Sequence, residues 1–411
     1  MLYNVGMEKI TTLIIGGGAS GLIAATLINN SAGKTLVLER ADRVGKKLSA
    51  TGNGQGNVTN VGVLDAEYFS STPSGAKRAK TMLARYDHTS FMHYLRSVGL
   101  LLTVDDRGRV YPASRQASSV TDALRFTAAQ RGVELRLGCK VTAIERTKNG
   151  FLVCYSTTDG EKRVFAEQVL LCTGGCVAKQ FGTDGTAYAL AKSLGHTCTP
   201  TYPSLVQLKT DTTHIKTLKG IRVPDAKVRA AWQGGEQTMQ GDVIFTDYGV
   251  SGDVIFRLSA FFTDKLDGAT LAIDFLPEYD EESIYDALLQ KQSAYPSLAD
   301  SELLCGFVNN QIARAIMKRA NGNLRVAAAL VKTFRLSVKG TTGADMAQVT
   351  KGGIPMREVD ENLQSRLVDG LYFAGETLDV DGQCGGYNLQ WSYTSACVVS
   401  SAINAKAGGQ V

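Results

Sequence analysis

Two short apolar runs, residues 10–15 and 34–39, are separated by Gly16-Gly17-Gly18-Ala19-Ser20-Gly21 and a helix-like segment. Residues 10–15 are β-rich, and residues 19–30 place apolar side chains at helical spacing. Asn29, Asn30 and Gly33 then break the helix before the second run, "KTLVLE". Strand, glycine turn, helix and strand fit into about 30 residues, the length a βαβ unit needs. In such a unit Gly16 permits the tight turn, Gly18 lets the backbone approach a pyrophosphate, and Gly21 lets helix and strand pack closely. The helix start, at Ala19, offers unpaired N–H groups and a positive dipole end to phosphates. Glu39 follows Gly21 by 39 − 21 = 18 positions, where a carboxylate accepts from ribose hydroxyls. The combination predicts dinucleotide binding.

The remainder predicts an α/β protein built on a discontinuous Rossmann-like domain. Helical patterns cover residues 76–100 and 118–132, the second opened by Ser119-Val-Thr-Asp122, which reads as a capping box with Asp in place of Glu. Residues 133–175 read as an antiparallel meander turned at Asn149-Gly150 and Asp159-Gly160. Residues 197–276 are β-rich, 280–335 helical. "LVDGLYFAGET" then returns to a buried strand ending at Gly375-Glu376, with a last helix from about residue 388. The expected division is 1–194 with 342–411 for the cofactor domain, 195–278 with 335–341 for an inserted β-rich domain, and 279–334 for a helical subdomain.

The stretch after Glu39 favours FAD over NAD. "ERADRVGKKLSATGNGQGNVTN" does not return at once to a third βα unit, and a loop this rich in Gly and Asn lays main-chain N–H groups along phosphates and a ribityl chain. Gly52, Asn53, Gly54 and Asn57 belong to it; Lys46 and Lys47 either add positive charge there or lie on solvated surface. At the far end, Gly375 and Glu376 close a strand, and Gly386 leads into the last helix, whose positive end faces the pyrimidine edge of the ring. A second strand–glycine–helix unit for a nicotinamide cofactor is missing, since "LLCTGG" lacks both the three-glycine pattern and the helix. NAD(P)H as a transiently docked electron donor stays open.

Other chemistries find little support. The eight cysteines (139, 154, 172, 176, 198, 305, 384, 397) form no CxxC, and the four histidines form no metal motif, so no metal is expected. Cys384 lacks a partner thiol at redox spacing and reads as a small packing residue. His196 ends a helix, a position that suits it structurally. Arg109 and Arg115 flank "VYPAS" and face either an anionic ligand or solvent. The net charge of +5 is spread without a basic stripe interleaved with aromatics, which argues against a nucleic-acid partner. No stretch reaches the roughly 18–20 apolar residues of a membrane span, and the start of the chain lacks a secretory pattern. The expectation is a cytoplasmic protein acting on a small molecule, with the Asn57-Val58-Thr59 sequon unused; nothing in the sequence bears on oligomeric state.

Motifs along essentially the whole chain resemble one family. They are "IIGGGASGL", "GKKLSATGNGQGNVTN", "GRVYPASRQASSVTDAL", "LLCTGG", "GTDGTAYALAKSLGH", "FTDYGVSGDV", "VTKGGI" and "GLYFAGETLDVDGQCGGYNLQW". The chain resembles the bacterial FAD-dependent flavoproteins that include aminoacetone oxidase and 3-dehydro-bile-acid Δ4,6-reductase. The resemblance implies a three-domain flavoprotein with non-covalent FAD. It implicates Gly16, Ala19, Glu39, Arg40, Lys46, Lys47, Gly52–Gly54, Val141 on an adenine-facing strand, Thr173, Gly174, Gly175, Glu376, Asn388 and Leu389. The chain departs from the family at Gln55-Gly56, where many relatives read Arg-Cys, and at Asp247, where many carry histidine. The flavin carries the redox chemistry, and no acid–base residue is named. Asp247 and Tyr248 are candidates, set against a turn that opens the "DVIFRLSAFF" helix. Three activities follow: reduction of a C=C conjugated to a carbonyl, oxidation of an amine with O2, and, from another class, flavin-dependent RNA modification. The reductase is preferred because no aromatic amine cage is evident.

Overall fold

The computed structural model describes residues 7–30 and 33–408, which divide into two compact units, one of residues up to 202 and from 349 onward, the other of residues 203–348. The first unit opens with β1 (Lys9–Ile15), α1 (Ala19–Leu27) and β2 (Thr35–Leu38). β2 is buried at every position and α1 at most, as a crossover unit inside an α/β sandwich requires. The segment expected as one helix over 76–100 is two, α2 (Pro73–Arg85) and α3 (His88–Ser97). The Asp87 carboxylate accepts from Ser90 N at 3.0 Å and starts the second. α4 (Ala117–Gln130) begins two residues before the expected capping box, and the Ser119 hydroxyl instead meets that of Ser114. β3 (Glu134–Arg136), β4 (Lys140–Thr147), β5 (Gly150–Thr157), β6 (Gly160–Leu171) and α5 (Thr186–Ser193) complete this half.

Within the second unit β7 (Leu208–Thr210), β8 (Arg222–Trp232), β9 (Gly235–Phe245), β10 (Gly249–Ser251), β11 (Thr270–Asp274) and β12 (Phe334–Thr341) close a barrel in the order β7-β10-β9-β8-β11-β12. Helices α6 (Asp253–Phe262), α7 (Glu281–Ala294), α8 (Asn310–Ala320) and α9 (Leu324–Lys332) share one core with it through Phe245, Phe262, Leu288, Ile316 and Phe334. Residues 279–334 are therefore a layer of this unit rather than a subdomain with its own core. Its borders fall at 203 and 348, not at 195 and 341.

The chain re-enters the first unit to add β13 (Leu371–Phe373) and α10 (Tyr387–Gly408). The main sheet runs β3-β2-β1-β6-β5-β4, with β13 beside β6. β6 pairs antiparallel with β5 along its first half and parallel with β13 along its last residues. The parallel registers are Ile15 with Leu38, Ile15 with Leu171, and Leu171 with Phe373. Four strands thus end level with one another, so the loops after them open at one edge. α10 is buried on nearly all sides, including Gln390, Trp391, Thr394 and Ser395. Asn404 fixes it to the end of α1, donating to Leu27 O at 3.0 Å and accepting from Asn29 N at 2.8 Å. Among the described residues no helix is long and apolar enough to cross a membrane.

Four charged groups tie the first three parallel strands. Lys34 Nζ lies 2.6 Å from Glu8 and 2.8 Å from Glu134, and Arg136 lies 2.7 Å and 2.6 Å from the same carboxylates. The bond from Arg136 outweighs partial burial and, with Lys34, holds the Glu8 carboxyl at about 2 instead of 4.5. Because the folded value is the lower one, this contribution is complete above about pH 4.5 and lost as the pH falls towards about 2. Glu8→Gln is expected to lower the thermal midpoint at pH 7, with the gap from wild type closing as acid is added. Circular-dichroism melts across pH 2–7 check this, and a gap that persists at the acid end contradicts it.

Candidate functional site

The four level strand ends place Gly16–Gly18, Glu39, Thr173–Gly175 and Gly375-Glu376 along one edge. In open α/β sheets ligands bind outside these carboxyl ends. The three motif glycines are required for different reasons. Gly16 has φ +106°, and a Cβ there would stand 2.6 Å from the Cys172 carbonyl. A Cβ on Gly21 would stand 2.0 Å from the Gly16 carbonyl, so α1 could not approach β1. A Cβ on Gly18 would have a single protein neighbour, Cys172 O, at 4.0 Å. Nothing among the described residues excludes a side chain at Gly18, so packing does not explain the glycine, whereas close approach of a ligand does. α1, which starts at Ala19, receives no side-chain cap. Its first-turn N–H groups therefore face that space as donors to an anion.

Glu39 is fixed by its neighbours. One carboxylate oxygen accepts from Gly17 N at 2.7 Å and the other from Ala41 N at 2.8 Å, which leaves a second lone pair on each for ribose hydroxyls. Cys139 N donates to Glu39 O at 2.9 Å, which brings the start of β4, with buried Val141, beside the end of β2. Thr173 contributes a buried hydroxyl with no partner among the described residues, the kind of orphan that a bound polar group satisfies. Gly174, at φ +74°, and Gly175 admit no Cβ, the latter because Thr350 Oγ1 would lie 2.1 Å away.

Lys46 and Lys47, candidates for added positive charge, and Arg40, implicated by the resemblance, each face a carboxylate. Arg40 pairs with Asp184, Lys46 with Asp42 at 2.7 Å, and Lys47 with Glu376 at 2.7 Å. The Arg40 and Lys47 pairs link separate loops, whereas the Lys46 pair lies within one loop. Glu376 also accepts from Thr350 N at 2.8 Å, and Thr350 Oγ1 accepts from Cys176 N at 2.9 Å. One chain of polar contacts thereby joins the loops after β2, β6 and β13. Gly375, at φ +68°, donates to Ser395 Oγ at 2.9 Å and accepts from Trp391 Nε1 at 3.1 Å, so α10 fixes the last loop. Thr350 was not singled out from the sequence; its signal was its place in "VTKGGI".

The loop after Glu39 is laid on the site through Gly45 N, which donates to Gly17 O at 2.8 Å. Gly52, Asn53 and Gly54 are exposed and left-handed, at φ +58°, +54° and +83°. Asn57 is buried, and its amide nitrogen donates to Thr59 O at 3.0 Å and Val110 O at 3.1 Å, so that nitrogen fixes the loop. Asn388 behaves similarly, accepting from Gly382 N and donating to Gly382 O, both at 2.9 Å. Gly386 lies against the Thr59 backbone, 2.5 Å from where its Cβ would be, and Leu389 packs on the core.

Asp247 and Tyr248 occupy the turn between β9 and β10 of the second unit. Asp247 is exposed and paired with Lys219 at 2.8 Å, which holds its carboxyl below the usual range. It carries no proton to give at neutral pH. Tyr248 donates to Gln207 Oε1 at 2.8 Å, and burial raises its phenol. α6 begins at Asp253, five residues beyond Tyr248 and after β10, so the two residues sit in a turn between strands and not in one that opens the helix.

A glycine cradle at the head of α1, a fixed acid at the end of β2 and a glycine-rich loop laid over both define an FAD-dependent oxidoreductase. Residues 10–402 match the family described as HI0933-like protein Rossmann domain, and the chain belongs to that family. It is 34% identical over 410 residues to the 3-dehydro-bile acid delta(4,6)-reductase of Clostridium scindens, covering 95% of this chain and 98% of the relative. It is 27% identical over 405 residues to the ribosomal RNA dihydrouridine synthase of Escherichia coli, covering 95% and 97%. Among solved structures it is similar in fold to the open conformation of a flavocytochrome c3 fumarate reductase. That match has a TM-score of 0.51 and 14% identity, covering 97% of this chain and 79% of the other.

Two glycine variants separate packing from ligand approach. Gly18→Ala is expected to keep stability within about 0.5 kcal/mol of wild type while the flavin absorbance of the purified protein is lost. Gly21→Ala is expected to cost about 1–3 kcal/mol through overpacking. Thermal unfolding of FAD-free protein, with absorbance at the flavin band after incubation with FAD, reads both. A Gly18→Ala protein that retains full flavin content contradicts the assignment.

Proposed function

We propose that the chain reduces a carbon–carbon double bond conjugated to a carbonyl in a small organic substrate, with NAD(P)H as the transient electron donor. The observation that carries this reading is the 34% identity along 95% of the chain to a protein named as a delta(4,6)-reductase. The dihydrouridine synthases add support through chemistry, because dihydrouridine arises when a uracil C=C conjugated to a carbonyl is saturated. Both names describe the same net change: hydride adds to the carbon remote from the carbonyl, the carbonyl oxygen takes up the electron pair, and a proton returns to the adjacent carbon. Bound FAD supplies hydride to such a carbon. The protein's part is to hold the cofactor by Gly16–Gly18, Glu39 and Thr173, and to keep the loops after β2, β6 and β13 fixed through Lys47, Glu376 and Thr350.

A second reading, reduction of uridine in RNA, is favoured by the 27% identity to the ribosomal RNA enzyme. Anaerobic stopped-flow distinguishes the two. Rapid bleaching by NADH or NADPH, followed by reoxidation with a 3-oxo-4,6-diene steroid acid and not with a uridine-containing rRNA fragment, is the expected result. Reoxidation by the RNA alone favours the second reading. Bleaching by small amines with peroxide formed on re-aeration, and none by nicotinamides, would overturn both in favour of an amine oxidase.

A further inference from the structure

Beyond the glycine-rich loop lies a short strand, Arg109–Pro112, that pairs with Thr59–Asn60 and leads into a tight turn. Arg115 closes the turn, donating its N–H to Pro112 O at 2.8 Å, with φ +51°. A left-handed backbone at a residue other than Gly, Asn or Asp is uncommon and marks a conformation held by its surroundings. Here the side chain turns back across Tyr111, with the guanidinium carbon 4.0 Å from the ring centroid. Arg109 lies two residues before the same tyrosine on the strand. Its Nε lies 3.8 Å from where a Cβ of Gly385 would stand, at the approach to α10. Gln55, at the tip of the glycine-rich loop, reaches Arg115 Nη1 through Oε1 at 3.5 Å. Arg115 therefore lies beside the 52–55 loop and Arg109 beside the approach to α10, two segments expected from the sequence to line the cofactor.

Charge distinguishes Arg115 from three cations of the cofactor loops. Arg40, Lys46 and Lys47 each face a carboxylate. Arg115 is exposed, and among the described residues it has no carboxylate partner; its contacts are Tyr111 and Gln55. A guanidinium held over an aromatic ring keeps N–H groups that the ring does not use, and a guanidinium takes a carboxylate through two parallel bonds. Residues 113, 114, 116 and 117 (Ala, Ser, Gln, Ala) carry no charge. The turn offers one fork backed by one further cation, and no track of cations along which a nucleic-acid backbone would lie.

We propose that Arg115, laid on Tyr111 and backed by Arg109, is the subsite for a carboxylate group carried by the substrate. The inference rests on the reading of the preceding section for the reacting end of that substrate and adds a requirement at its other end. A substrate held here is an acid, and its uncharged ester is discriminated against.

The test is calorimetric titration of the flavin-loaded protein at low salt with a 3-oxo-4,6-diene bile acid and with its methyl ester. Wild type is expected to bind the acid about tenfold more tightly than the ester, the gain of one charge-assisted pair. In Arg115→Gly, whose backbone suits φ +51°, the ratio is expected to fall to about one, with flavin content and thermal midpoint unchanged; Arg115→Lys is expected to recover part of it. Equal ratios in wild type and Arg115→Gly, no binding of the acid to wild type, or loss of flavin from Arg115→Gly would each overturn the proposal. So would tight binding of a uridine-containing RNA hairpin that depends on Arg115 while acid and ester are not told apart. Discrimination by wild type without turnover of either compound would sink the proposed reaction and leave the carboxylate subsite standing, since the readout is binding.

Discussion

The parallel register of β1, β2, β6 and β13 is the constraint on which the rest of the first unit depends. Ile15, Leu38, Leu171 and Phe373 sit level because each pair of strands is locked by backbone hydrogen bonds over residues buried on both faces. A shift of one residue in any pair would turn buried side chains to the opposite face of the sheet. It would also move one of the four loops off the common edge. Site geometry and core packing are therefore the same constraint seen from two ends.

Once the loops open together, short polar links fix them to one another. Glu39 binds the Gly17 and Ala41 amides, Glu376 binds Lys47 and the Thr350 amide, and Ser395 with Trp391 holds Gly375. Most of these groups are half-buried, where a carboxylate without partners would be costly. Matching Glu39 and Glu376 with N–H donors or a cation fixes these loops to one another. Arg115, by contrast with Arg40, Lys46 and Lys47, has no acid beside it among the described residues.

The βαβ opening was legible in the sequence because its signals are local. Glycine spacing, a helix-period segment and an acid at the end of the second strand all fall within residues 10–39. The hairpins of the meander were legible too, since Asn149-Gly150 and Asp159-Gly160 are turn dipeptides. The break between α2 and α3 was local too, carried by Asp87 with Ser90 three positions on in the polar stretch from Arg85 to Ser90. The Lys47–Glu376 and Cys176–Thr350 contacts join residues 329 and 174 positions apart, and no spacing rule reaches that far. Asn57 and Asn388 were legible as polar residues in the right loops. That their amide nitrogens are turned onto the backbone depends on which carbonyls the fold brings near.

His196 shows why geometry must be read together with access. Its Nδ1 lies 2.8 Å from Glu358 and its Nε2 lies 2.7 Å from Ser365 Oγ, an arrangement with the spacing of a hydrolytic triad. Yet Ser365 Oγ already accepts from Leu367 N at 3.0 Å and Val368 N at 2.8 Å. Both lone pairs are occupied, so the hydroxyl proton points to Nε2 and the ring proton sits on Nδ1, facing Glu358. A serine with no free lone pair is not a nucleophile, and the histidine side chain has 0% exposure. The three residues instead pin the segment from Glu358 to Val368 against the end of α5. This is the same device as Lys47–Glu376, built here around a fully buried histidine. What separates a structural network from a binding site in this protein is therefore an unspent donor beside open space, as at Gly18, the start of α1 and Arg115.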